Sequence, residues 1–167
     1  MKVLTENNGP VNKKYLGLSI GAIFTVVSFL LSFTIVVPVI SVIPGVFFEN
    51  IAKDLVSNNP YDNVGKTTIL LLTSVLILII ILALIYIRKD SIKGHPVSKA
   101  QVIGIMIFCY FIVHALGFYI YWGIELDYRS DGQLIFAAMD SLPYSSLAFI
   151  PIGLLIDITK NSTFRKP

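Results

Sequence analysis

Four long apolar stretches, separated by short polar ones, set the organisation of this chain. The longest, residues 69–87, reads ILLLTSVLILIIILALIYI, with no charge, Pro or Gly, and Arg88 and Lys89 come directly after it. As a helix it extends about 28 Å, close to the ~30 Å hydrocarbon core of a bilayer. An apolar run of that length predicts a transmembrane helix. The same reading gives spans at about 15–37, 67–87, 99–122 and 141–158, flanked by polar tails at 1–14 and 159–167. The expected fold is all-α: an integral membrane four-helix transmembrane bundle.

The first span comes after Lys13 and Lys14. A signal peptide would share that basic start, but the apolar run exceeds the usual ~7–15 residues, and it leads to no A-x-A-like site. It reads as a permanent helix. Gly17, Gly21 and Thr25 recur along it at i, i+4, i+8, with Ser28 and Ser32 nearby. Small residues at that spacing let a second backbone come close. They form a candidate packing stripe for a helix of this chain or of another one.

Pro38 and Pro44 are expected to end this span. The next segment, FFENIAKDLVSNNP, alternates at helical period. Phe47, Phe48, Ile51, Ala52, Leu55 and Val56 fill one half of the wheel, and Glu49, Asn50, Lys53, Asp54 and Ser57 the other. The pattern predicts a short amphipathic helix lying in the outer interface, Phe face down, or else capping the mouth of the bundle. Residues 64–68, VGKTT, resemble the end of a phosphate-binding loop, but Pro60 stands where its first Gly is required.

Before the third span, Ser98 and Gln101 have the spacing of a capping box, with Val97 and Val102 placed as its hydrophobic staple. The helix should start at about Lys99. In the fourth stretch Pro143 argues against one straight helix from 134 to 158. A start near Ser141, with Asp140 or Ser141 as N-cap, accommodates it, and Pro151 should kink this last helix.

Charge adds an orientation. Of 13 Lys and Arg, all but Lys53, Lys66 and Arg129 fall in the two tails or at 88–99. By the positive-inside rule both termini are cytoplasmic, in a multi-pass protein of the cell membrane. The opposite face is acidic. At 14% charged and 55% hydrophobic the composition is far from that of a soluble domain, which carries roughly 25% charged residues. The lone Cys109 excludes an internal disulfide or a CxxC redox pair, and with them thiol oxidoreductases and disulfide-stapled families such as claudins and tetraspanins.

Candidate chemistry is sparse. His114 is the one ionisable group well inside a span, with Tyr110 one turn before it. Intramembrane ionisable residues face the bundle interior and mark relays or ion paths. If the fourth segment enters the membrane before Asp140, a His114–Asp140 pair is geometrically open. The competing role for His114 is a neutral ring bonded to a hydroxyl, and for Asp140 a helix cap. Asp157, three residues before Lys160, reads as an interface ion pair of little weight. No HExxH or G-x-S-x-G motif is present. No Asp, Glu, Lys, Arg or His lies between 15 and 40, so the first-helix glutamate of small multidrug exporters is missing.

These features predict no catalytic residues, cofactor or metal, and no nucleic-acid partner. They predict contact with the lipid bilayer and with a partner, either another membrane protein or a second copy through the first helix. The expected role is non-enzymatic: accessory, regulatory or immunity-type. The alternative is a small oligomeric transporter or channel component using His114, with or without Asp140. A lipid-acting enzyme would need the outer acids to bind a metal.

Overall fold

The computed structural model describes residues 15–34, 36–56, 60–93, 95, 97–124 and 141–162. Within them the regular elements are helices: α1 (Leu16–Leu31), α2 (Val36–Leu55), α3 (Pro60–Ile92), α4 (Lys99–Ile124) and α5 (Phe149–Ser162). A helical turn at 141–146 leads into α5. Three stretches are long and apolar enough to cross a membrane: Val64–Ile92, Lys99–Tyr121 and Ser141–Ser162.

α1 stops sooner than its composition suggests. It ends at Leu31, not near residue 37, because hydroxyls take its last carbonyls. Ser32 Oγ donates to Phe29 O at 2.6 Å, and Thr34 Oγ1 to Leu31 O at 2.7 Å. Such local bonds compete with the next helical turn. α2 then starts at Val36 and runs through Pro44. Pro38 falls in its first turn, where a missing amide hydrogen costs nothing, so this proline opens a helix instead of closing one.

The expected short helix beginning at Phe47 is therefore the second half of a longer one. Phe47 and Leu55 are 61% and 65% exposed, while Val42 and Ala52 are buried. The inward stripe is Val42, Gly45, Glu49 and Ala52, at helical spacing. A Cβ on Gly45 would run into the Tyr119 ring, and the Tyr119 hydroxyl donates to Glu49. Two specific contacts with α4 thus outweigh the amphipathic pattern. Of the two readings of this segment, packing against the bundle is the nearer.

α3 spans Pro60–Ile92, about 50 Å by helical rise, and contains the VGKTT stretch as regular helix. Gly65 and Lys66 are exposed, and Thr68 is buried with its hydroxyl on Val64 O. Leu70, Ile77, Leu78, Ile81, Leu82 and Ile85 face outward. α4 begins with the capping box: Ser98 N donates to Gln101 Oε1 at 2.7 Å, and Gln101 N to Ser98 Oγ at 3.2 Å. Gln101 Nε2 also donates to Asp90 Oδ2 at 2.8 Å and Tyr86 Oη at 3.1 Å, fastening α4's first turn to the end of α3.

The break before α5 has a clear cause. Pro151 has no amide hydrogen for the Leu147 carbonyl, which accepts instead from Ile150 N at 3.3 Å, and the chain turns at 147–148. α5 runs antiparallel to both α1 and α4. Ile20, Val102, Met106, Cys109, Phe149 and Ile156 belong to one core at the end where α3 stops and α4 starts. Val42, Leu72, Ile112, Ala115, Phe118 and Tyr119 make a second core toward the other end.

Candidate functional site

The α1–α5 seam is built on glycine. A Cβ on Gly17 would strike Gly153 O, one on Gly21 would strike Phe149 O, and one on Gly153 would strike Gly17 O. The obstructing atoms are backbone, which cannot swing aside. Thr25, the third member of the stripe, bonds both Gly21 O and Ser146 O at 3.0 Å. The candidate stripe Gly17–Gly21–Thr25 is thus spent on a helix of the same chain. Its partner residues Gly153 and Ser146 carry no recognisable spacing of their own.

At one end of this seam lies Asp157. Its two carboxylate oxygens accept from Gly17 N at 2.9 Å and Leu18 N at 2.8 Å. These are first-turn amides of α1, which have no partner inside their own helix. Tyr15, at the N-cap, makes no side-chain cap bond, so a carboxylate 140 positions away caps α1. Lys160 Nζ lies 3.1 Å from Asp157 Oδ1, and the two side chains are only 9% and 3% exposed. The pair exists as the spacing suggests. It is buried, and it carries a tertiary contact.

His114 sits where α4 meets the turn before α5, and it is fully buried. Ser145 Oγ stands 3.1 Å from Leu142 O and 2.5 Å from His114 Nδ1. Nδ1 and the Ser145 hydroxyl share one hydrogen bond, and the tautomer of the ring sets which of them donates. Nε2 has no hydrogen-bond partner among the described residues. Tyr110 lies edge-on to the ring at 4.4 Å, and Phe149 at 5.6 Å. Gly117 permits the approach of the helical turn before α5, since a Cβ there would meet Ser145 Cβ at 2.5 Å.

Of the candidate polar site, His114 and Tyr110 come together as their i, i+4 spacing implies, and Asp140 lies outside the described residues. Ser145 and Phe149 complete the surroundings of His114. The first is one of several serines near a proline, and nothing in the sequence sets it apart. Among the described residues no group of His, Cys, Asp and Glu could hold a metal ion. Chemically, the arrangement offers one buried ring nitrogen, Nε2, beside a ring-lined wall. Comparison with family models, characterised proteins and solved structures yields no match.

Proposed function

We propose that this chain is a multi-pass protein of the cell membrane, with four spans and cytoplasmic termini, that acts without catalysis by binding a partner within the bilayer. The observation that carries this is how polar and apolar groups are divided. Thr25, Ser146, Asp157 and Lys160 bond within the chain, while Ile23, Val26, Val27 and Leu30 of α1 and the outer stripe of α3 are exposed and apolar. A partner in lipid would be met by that apolar surface. α1 has 16 residues, about 24 Å. It lies antiparallel along α5, which supports counting it as a fourth span, with the membrane adapting to its shortness.

The role is accessory, regulatory or immunity-type. Purification of the tagged protein in mild detergent, with mass analysis of what co-elutes, tests it. A second membrane protein in fixed ratio is the expected result, and a clean homo-oligomer would count against it. One observation favours a second reading, a small transporter or channel component: the unpartnered Nε2 of His114. In that case His114→Ala abolishes ion flux in liposomes while the folded protein persists. Equal loss of both would make the histidine structural.

A further inference from the structure

The end of the bundle where α3 stops and α4 starts holds basic side chains that the fold leaves without counter-charges. Arg88, Lys89 and Lys93 of the α3 terminus and Lys99 of the α4 start are exposed. The contact of Gln101 with Asp90 and Tyr86 holds those two ends together. Among the described residues, none of the four forms an ion pair. The acids at this end are already engaged. Asp90 accepts from Gln101, and Asp157 is taken up by the α1 amides and Lys160. Asp90 is bonded by a neutral amide and keeps its charge, so among the described residues four exposed cations face one carboxylate outside an ion pair, and the patch is net positive.

Its depth identifies the occupant. Tyr86 is half exposed, and an amphipathic ring of this kind settles at headgroup level. Arg88 and Lys89 lie within the next turn, and Lys93 and Lys99 flank the connection. Apolar helix surface meets the patch from one side, so an anion there arrives with acyl chains attached. From this we infer that the α3–α4 end is a binding surface for anionic phospholipid headgroups of one leaflet. Each basic residue near such a surface contributes roughly fivefold in affinity, through charge–phosphate contacts that salt weakens.

This rests on the reading that the chain spans a membrane, and the test separates the two. The full chain, purified in mild detergent, is presented with equimolar phosphatidylglycerol and phosphatidylcholine, and bound lipid is counted by native mass spectrometry. The expected result is a clear excess of phosphatidylglycerol. It should be lost in the combined variant Arg88→Gln, Lys89→Gln, Lys93→Gln, Lys99→Gln and kept in Lys53→Gln, Lys66→Gln. Circular dichroism of each variant establishes that the helices persist. Glycerol phosphate, which has the charge without the chains, should not displace the lipid; displacement would show a free-phosphate site instead. Equal binding of the two lipids, or an excess that survives the combined variant, overturns the inference. Membrane integration is read separately: protein released from membranes by alkaline carbonate without detergent would overturn the spanning model itself.

Discussion

Asp157 shows how far a single side chain can depart from its local pattern. Next to Lys160 on a helix, an acid is an ordinary i, i+3 neighbour worth a few tenths of a kcal/mol. Here it also caps a helix that has no cap of its own. Asp157→Ala removes the acceptor of two first-turn amides of α1 and the buried carboxylate beside Lys160. It should destabilise the bundle by about 3 kcal/mol, measured by thermal unfolding in detergent. Adding Lys160→Met should recover part of that loss, because a buried charge is removed with it. Asp157→Asn retains an acceptor and should lie between. His114 is visible in the sequence as an intramembrane ionisable residue, and Tyr110 as its neighbour. Ser145 is not, because its role depends on where α5 docks. Ser145→Ala should cost about 1–3 kcal/mol by leaving the buried Nδ1 of His114 without its hydrogen-bond partner, measured by thermal unfolding in detergent.

The helices are more legible than their faces. The start of α4 can be read from Ser98 and Gln101 because a capping box is a local device, complete within four residues. The inward stripe of α2 is less legible, because distant atoms, the Tyr119 ring and hydroxyl, draw Gly45 and Glu49 toward α4. A wheel weighs residue types and has no knowledge of such a partner. The glycines divide in the same way. Gly17, Gly21 and Gly153 meet backbone, whereas Gly65 and Gly104 have nothing within 4 Å of an added Cβ. Gly17→Ala and Gly153→Ala should therefore separate α1 from α5 and lower the melting temperature markedly. Gly65→Ala and Gly104→Ala should be neutral or stabilise by about 0.5–1 kcal/mol. Glycine content alone does not sort these pairs, and the measured contrast would.

For the molecule as a whole, the hydrophobic effect has an unusual part. An exposed Leu82 or Ile85 gains little by moving from lipid to a helix interface, since both are apolar. Close packing and internal hydrogen bonds must hold the helices together, which is why seams made of glycine and threonine matter more than those rich in leucine. In the proposed topology charge sets the orientation, and α3 carries its own test. Lys66 and Lys93 are both exposed near opposite ends of that helix. With the buried Cys109 replaced, Lys66→Cys should react with a membrane-impermeant thiol reagent in intact cells, and Lys93→Cys only after permeabilisation. Reversed labelling would invert the topology, and equal labelling would mean that α3 does not cross.

The seam between α1 and α5 also acts in time. Chains are made from the N-terminus, so α1 is complete while its mate is still untranslated. Until Asp157 leaves the ribosome, the first-turn amides of α1 and its glycine groove lack the partners they have in the finished bundle. The bundle can be closed only by its latest helix, and a nascent chain stalled soon after Ile124 exposes an unmistakable mark of incompleteness. Pulse-labelled chains truncated at Ile124 should accordingly be degraded faster than full-length ones, and supplying residues 141–167 as a separate polypeptide should protect them.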